Sequence, residues 1–232
     1  MLTEFISAFF EKLGAEWVLW LLLTLSVLSL GVIFERFLFF RRNAVDQEAL
    51  NDRLLKALRA GGEPEARKVA EGVPGMVGGV LQAALDAYHD GVAAVEEVIA
   101  AAITRERNRY DRFLSILGTL GNNAPFIGLF GTVIGIINAF GKLAGALEGS
   151  QRTQEVMSSI SEALVATAVG LAVAIPAVIA FNAYKTQIRR IAANTEWLAR
   201  NMLAYLKADA RNGKAPCPEA GSSVVAPAAE EA

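Results

Sequence analysis

Three stretches of this chain are apolar enough to cross a lipid bilayer, and they constrain its fold more than any other feature. They run roughly over residues 16–34, 117–140 and 160–184. Each is close to the ~20 residues that a hydrocarbon core requires of a helix. The other segments are charged, rich in Ala, Leu, Glu and Arg, and show no alternating strand pattern. We therefore predict an all-α membrane protein with three transmembrane helices.

The distribution of Lys and Arg predicts how the three spans are oriented. Lys12, Lys142 and Arg152 are the only basic residues in the N-terminal segment and in the loop between spans two and three, and the other 19 of the 22 lie elsewhere. Positive residues favour the cytoplasmic side of a bacterial inner membrane. We therefore predict a multi-pass protein of that membrane with a periplasmic N-terminus and a cytoplasmic C-terminus.

The N-terminal segment is acidic, unlike the basic start of a signal peptide, so we expect the first span to be retained. The predicted organisation, in chain order, is a periplasmic interfacial helix (1–15), transmembrane helix 1 (16–40), a cytoplasmic helical domain (41–112), transmembrane helix 2 (113–141), a periplasmic loop (142–159), transmembrane helix 3 (160–184), a cytoplasmic helix (185–210) and a disordered tail (211–232).

Both inner spans are predicted to continue as helices into the cytoplasmic domain. An apolar stripe beginning near Val92 reaches span two without a Gly or Pro. A second stripe from Ile188 to Tyr205 alternates spacings of three and four, which is typical of a helix packed against other helices. Between residues 44 and 75 we predict two short helices, separated at Gly61 and Gly62.

Small residues recur at helical spacing in spans two and three, where they let helix backbones approach closely. Span one contains only Gly31 among bulky neighbours. We therefore expect spans two and three to pack as inner helices and span one to face lipid. The predicted packing residues are Gly128, Gly131, Gly135, Ala166, Gly170 and Ala174.

Three polar residues stand out near the outer ends of these spans. At about 1.5 Å per residue, Thr132 lies about 12 Å below the outer end of span two and Thr167 about 10 Å below that of span three. Glu162 lies roughly 7.5 Å closer to the outer face than Thr167. An ionisable group in a span is costly without a partner or water, so Glu162 is a candidate functional residue.

Simpler roles for these three residues remain open on the sequence alone. A threonine in a membrane helix can bond to the carbonyl one turn back and serve only in packing. Glu162 can pair with Arg152 or lie in the headgroup zone.

Two motifs resemble the MotA/TolQ/ExbB proton-channel family, most closely its three-span TolQ and ExbB branch, which includes TolQ-like proteins of gliding motility. In span two the motif is Ala-Pro-Phe-Ile-Gly-Leu-Phe-Gly-Thr-Val at 124–133, followed by Gly-Ile at 135–136. In span three it is Ser-Glu-Ala-Leu at 161–164, Ala-Thr-Ala-Val-Gly-Leu at 166–171 and Ala-Ile-Pro at 174–176. With the order of the spans, the resemblance covers about residues 16 to 207.

This resemblance implies a homo-oligomeric ring, expected to be a pentamer, whose spans two and three line a central pore. Single-span subunits of the ExbD, TolR or MotB type would occupy the pore and carry a protonatable Asp. The resemblance places Thr132 and Thr167 beside that Asp and Glu162 near the outer entrance of the proton path. The transported ion is then H⁺, no cofactor is needed, and a further energy-transducing or motility protein can receive the work.

The residues argue against several other functions. No P-loop or dinucleotide glycine pattern occurs, and no His or Lys stands at useful spacing from Ser158, Ser159 or Ser161, so we expect no enzyme activity. No dense basic patch is present, so nucleic acid is not an expected partner. We interpret His89 as part of a solvated face, and Cys217 has no partner for a disulfide or metal site.

Two other functions stay open as alternatives. A solute transporter would take up its substrate without a single-span partner, and a passive membrane scaffold would tolerate the loss of Glu162. The sequence does not choose between protons and sodium, or between outer-membrane uptake, envelope maintenance and gliding as the powered process.

Overall fold

Three long apolar helices dominate the computed structural model, which describes residues 16–144 and 150–211. All regular elements in these two ranges are helical: α1 (Glu16–Arg42), α2 (Gln47–Gly61), α3 (Glu63–Glu71), α4 (Gly75–Asp86), a single 3₁₀ turn (Tyr88–Asp90), α5 (Val92–Asp111), α6 (Leu114–Ala144) and α7 (Ser150–Arg211). Helices α1, α6 and α7 are long and apolar enough to cross a membrane, which confirms the predicted number of spans. The predicted interfacial helix 1–15, the tail beyond Arg211 and Cys217 lie outside the described residues.

The described residues of 16–39 and 111–186 form a membrane unit. The buried residues of α1 in this unit are Val18, Leu22, Ser29 and Arg36. Their spacing places them on one side of the helix, because each residue turns about 100°. Val18 and Leu22 share an apolar core with Ala124 and Ile134 of α6 and with Val173 and Ala174 of α7. All three helices also expose large apolar side chains, as expected of surfaces that meet lipid or other membrane proteins.

A second unit contains Phe40–Tyr110 and residues 187–211. Helix α2 begins at an Asp46 cap, whose carboxylate accepts the Ala49 N–H at 3.2 Å. Helix α4, which falls within the predicted helical domain 41–112, is apolar and largely buried. The inner part of α7 buries Ile188, Thr195, Leu198 and Met202, so its stripe of threes and fours packs as expected.

The predicted helix running from Val92 through span two is interrupted, which corrects the expectation of one continuous rod. Helix α5 ends at Asp111 and α6 begins at Leu114. Between them Phe113 adopts a left-handed backbone with φ 66°, a conformation that is rare for a bulky residue. The guanidinium of Arg112 lies 4.8 Å from the Phe113 ring centre and that of Arg36 lies 5.6 Å away. These cation–π contacts stabilise a helix break that could not be predicted from a Gly or Pro in the sequence.

Much of the segment predicted as the loop 142–159 is helical in the structure. Helix α6 extends to Ala144, and α7 starts at Ser150 and continues for 62 residues without interruption. Thirteen residues assigned to the loop, 142–144 and 150–159, are therefore helical. Because residues 150–159 are polar, span three was predicted to begin only at residue 160. Gln, Glu and Met are nevertheless good helix formers, so the helix can continue beyond the apolar zone.

Candidate functional site

Helices α6 and α7 approach each other most closely at facing glycines. A Cβ added to Gly128 would lie 2.7 Å from the carbonyl oxygen of Ala166 and 3.0 Å from the Cα of Thr167. A Cβ added to Gly170 would lie 2.7 Å from the carbonyl oxygen of Ala124. Side chains larger than hydrogen would push these two backbones apart, so the glycines are what allow the contact.

The same contact continues toward the ends of α6 and α7 nearer to Glu16, which we call the outer ends after the predicted orientation. A Cβ on Gly131 would lie 2.8 Å from the Cβ of Ala166, and one on Gly135 would lie 2.5 Å from the Cβ of Ala163. Ala174 is also buried. All six small residues expected in packing therefore lie at or beside the contacts among α1, α6 and α7.

These contacts define the antiparallel register and thus the relative heights of the two threonines. Gly128 lies opposite Thr167, and Gly131 lies opposite Ala166. Thr132 is therefore two to four residues farther outward than the level of Thr167. At about 1.5 Å per residue, the height difference is about 3 to 6 Å. Two side chains at such similar depths can contact one group placed between them.

Thr132 points away from α1. The three α6 glycines at 128, 131 and 135 face α7, whereas Phe130 and Gly131 face α1 through Trp17 and Val18. With about 100° per residue, Thr132 lies about 70° from the mean direction of the three glycines and about 150° from that of Phe130 and Gly131.

Thr167 points away from α1 as well. On α7, Ala163, Ala166 and Gly170 face α6, and Val165 and Val169 line a groove with Leu19 and Trp20 of α1. Thr167 lies about 70° from the mean direction of the first set and about 180° from that of the two valines. The two threonines therefore occupy the same flank of the α6–α7 pair.

Apolar side chains surround both hydroxyls on this flank, which we call the threonine face. Each of them is exposed and lies within about 60° of the threonine on its own helix. The threonine face comprises Thr132, Leu129 and Ile136 of α6 and Thr167, Leu164 and Leu171 of α7. Two hydroxyls on an otherwise apolar surface are well suited to bind one polar group of a helix that packs there.

The two hydroxyls differ in their hydrogen bonding. Thr132 Oγ1 donates to the carbonyl oxygen of Leu129 at 2.6 Å, so its lone pairs remain available. Thr167 Oγ1 is buried and has no hydrogen-bond partner among the described residues. A buried hydroxyl without a partner costs about 1–3 kcal/mol. Such a group is expected where an outside ligand or water completes the bond.

Glu162 does not point in the same direction as Thr167. It is exposed, and the five residues between them turn α7 by about 140°. Its direction lies about 40° from that of Val165 and Val169, on the side of α1. The structure therefore brings the two threonines together and separates Glu162 from them.

A second polar contact joins the outer ends of α6 and α7. Lys142 Nζ donates to Ser159 Oγ at 2.8 Å. Only the fold brings these residues together, and sequence spacing alone gave no sign of it. Ser159 is buried, and its hydroxyl donates to the carbonyl oxygen of Glu155 at 3.1 Å, so the hydroxyl is unsuited to attack a substrate.

The described residues contain no cluster of His, Cys, Asp and Glu that could hold a metal ion. His89 is exposed in the 3₁₀ turn, as expected of a residue on a solvated surface.

Known proteins share the region that contains the threonine face. The family model described as the MotA/TolQ/ExbB proton channel family matches residues 73–197, more than half of the chain. Tol-Pal system protein TolQ of Pseudomonas aeruginosa is 45% identical over 102 residues, which cover 44% of this chain and 42% of that protein. Biopolymer transport protein ExbB of Xanthomonas campestris is 36% identical over 117 residues, which cover 50% of this chain and 46% of that protein. ExbB of Neisseria gonorrhoeae is 50% identical over 74 residues, 32% of this chain and 33% of that protein.

The matched region spans less than half the length of each of these relatives. The family consists of channel and transport components rather than enzymes, in agreement with the expected lack of enzyme activity. The family model matches more than half of this chain, and the chain has three apolar helices with a close glycine contact between α6 and α7. This multi-pass membrane protein therefore belongs to the MotA/TolQ/ExbB proton channel family.

Proposed function

We propose that this chain is the proton-channel subunit of an inner-membrane motor, and that it acts through the threonine face. The observation that carries the proposal is the pair of hydroxyls at similar height on the flank away from α1, with Thr167 Oγ1 lacking a partner. Family membership supports the transport of protons.

The hydroxyls would bind an acid supplied by another polypeptide. A threonine hydroxyl donates to a carboxylate and accepts from a protonated carboxyl, so it stabilises both forms in turn. The neutral acid passes the apolar side chains of the threonine face, whereas the charged acid is held at the hydroxyls by its desolvation cost. Protonation from the outer side therefore releases the partner helix to move. The membrane potential supplies about 2.3 kcal/mol per charge per 100 mV.

The partner in this proposal is a single-span protein of the ExbD, TolR or MotB type with an Asp in its helix. Several copies of this chain, expected to be five, surround it with their threonine faces inward. The exposed apolar residues beside the threonines support such packing, because they would otherwise face lipid together with two hydroxyls. The N-terminus would face the periplasm and the C-terminus the cytoplasm. Glu162 would act nearer the outer entrance.

Replacing Thr167 with Val tests the proposal. Val has nearly the same shape and removes the unpartnered hydroxyl, so the variant should fold and assemble at least as well as the wild type. Motor output should nevertheless be abolished. Thr24→Val is the matched control, since Thr24 lies on α1 and donates to its own helix at Trp20. Thr167→Ser, which keeps the hydroxyl, should restore output. Full output from an assembled Thr167→Val protein would refute the role.

The powered process is proposed from the relatives, whose names point to the Tol-Pal system and to biopolymer transport. Cells carrying Thr167→Val should become sensitive to detergents if the process maintains the envelope, and should lose nutrient uptake if it energises transport. Solute uptake by the purified chain alone would instead favour a transporter. Unchanged output after Glu162→Gln would remove Glu162 from the path.

A further inference from the structure

Two asparagines lie within the spans on the inner side of the threonines. Asn122 of α6 and Asn182 of α7 are exposed, and in the described part of the chain neither amide has a hydrogen-bond partner. Asn123, which follows directly, instead donates to the carbonyl oxygen of Thr119 at 2.8 Å. An amide without a partner is strongly disfavoured in hydrocarbon, so these two positions favour water or polar protein over lipid.

Both amides lie on the flank that carries the threonines. In this inner region Gly118 and Gly121 face α7, where their nearest neighbours are Phe181 and Val178. Asn122 lies about 70° from the mean direction of the two glycines. Thr132 lies at the same angle, and in the same rotational sense, from the mean direction of the three outer glycines of α6.

The same relation holds on α7. Asn182 lies about 70° from the mean direction of Val178 and Phe181, again in the rotational sense of Thr167. Asn123, by contrast, lies about 170° from the inner contact of α6. One flank of the α6–α7 pair therefore carries two hydroxyls toward its outer end and, toward its inner end, two amides without a hydrogen-bond partner in the described part of the chain.

The spacing of these groups along the flank suits a chain of water molecules. Asn122 is ten residues inward of Thr132, about 15 Å, and Asn182 is fifteen residues inward of Thr167, about 22 Å. Three residues beyond Asn182, Lys185 Nζ lies 2.9 Å from Asp111 Oδ1 at the inner end of the unit. Combined with the register of the two helices, these counts place the successive groups Thr167, Asn122 and Asn182 about 8–15 Å apart along the flank. Each interval holds about two to four waters hydrogen-bonded in a row at about 2.8 Å.

We propose that Asn122 and Asn182 order the water of the proton's inner half-path, from the acid at the threonines to an exit beside the Asp111–Lys185 ion pair. This inference rests on the proposed function. An amide donates and accepts hydrogen bonds but holds no proton, so each Asn orients waters while the proton passes along them. The proton leaves the partner's acid, moves through the ordered waters and is released to bulk water at the inner end.

Asn122→Leu and Asn182→Leu test the proposal, with Asn123→Leu as a matched control on the other side of α6. The complex with its native partner is obtained in right-side-out membrane vesicles loaded with the pH dye pyranine, and the outside is acidified. The first two variants should lower proton influx at least tenfold at unchanged assembly, and the control should stay within twofold. Asn182→Gln, which keeps an amide, should recover part of the flux.

Accessibility gives a second measurement that does not depend on flux. With Cys217 replaced by Ser, a cysteine at 182 should react in inverted vesicles with a charged, membrane-impermeant thiosulfonate, and one at 123 should not. Equal flux in all three leucine variants, or an unreactive cysteine at 182, would overturn the inner half-path.

Thr167→Val in the same vesicles separates the two proposals. If it blocks the flux while the Asn variants do not, the inner half-path is wrong and the proposed function stands. If it leaves the flux intact, the proposed function fails, and the inner half-path fails with it.

Discussion

Gly128→Ala is expected to weaken the α6–α7 contact by an amount that the structure lets us estimate. The new methyl carbon would lie 2.7 Å from the carbonyl oxygen of Ala166 and 3.0 Å from the Cα of Thr167. Favourable carbon–oxygen contacts lie at about 3.3–3.6 Å, so the helices must separate by about 0.6 Å or more. Both neighbours are backbone atoms and cannot rotate away. Overpacking of this kind costs about 1–3 kcal/mol.

Gly31→Ala supplies the matched control. Gly31 also lies within a membrane helix, but a Cβ there would have no neighbour within 4 Å. Both substitutions gain the same helix propensity, about 1 kcal/mol or less. The difference between the two variants therefore isolates the clash. It should amount to about 1–3 kcal/mol, which is roughly a 5-fold to 150-fold change in the folding equilibrium.

Unfolding in detergent micelles by a denaturant, followed by tryptophan fluorescence, measures this difference. The protein concentration must be the same for all variants, because association shifts apparent stability by mass action. Equal stability of Gly128→Ala and Gly31→Ala would show that α6 and α7 do not depend on this close approach. A double variant with Gly170→Ala should be non-additive, since Gly170 lies against Gly128.

Two further predictions concern the second unit, where Tyr110 Oη accepts the Met76 N–H at 3.0 Å. Tyr110→Phe leaves this buried N–H without its partner and should lower the free energy of unfolding by about 1–3 kcal/mol, measured by thermal or denaturant unfolding; Tyr205→Phe, at a half-buried hydroxyl that donates to Leu58, should cost less. Burial raises the pKa of Tyr110. The stability that the protonated hydroxyl provides is therefore full below the unfolded pKa of about 10 and is lost as pH rises through the folded pKa. The Phe variant should lack this alkaline loss of stability, and identical stability–pH profiles for the two proteins would contradict the assignment. Gly75→Ala should destabilise strongly in circular-dichroism melts, because Gly75 has φ 73° and its Cβ would collide with Tyr110 Oη, whereas Gly72→Ala meets only a carbonyl oxygen at 3.8 Å and should be mild.

The relative height of Thr132 and Thr167 could be predicted from sequence, but the direction of their side chains could not. Residue counts placed Thr132 and Thr167 at similar depth, and the register of α6 and α7 in the structure gives a height difference of about 3 to 6 Å between them. Direction around the helix required the fold, because only the neighbours of Gly131, Val165 and Val169 reveal where α1 lies. Glu162 was therefore grouped with the threonines by sequence although it points to the side of α1.

The break at Phe113 shows why other features escaped prediction. Local signals such as Gly and Pro end helices predictably, but this break depends on two guanidiniums against one ring, and one of them belongs to Arg36 on a different helix. The Lys142–Ser159 hydrogen bond has the same origin, since its residues meet only when α6 and α7 pack.

The amino-acid pattern alone was sufficient to identify the class of protein, the number of membrane helices and the small residues that let two of them pack closely. Hydrophobicity and residue size act locally along a chain, so they can be inferred from it directly. Tertiary contacts were needed to show which flank of α6 and α7 carries the polar groups and which hydroxyl lacks a partner among the described residues. Those properties depend on atoms brought together from distant parts of the chain, and a linear pattern does not contain their distances.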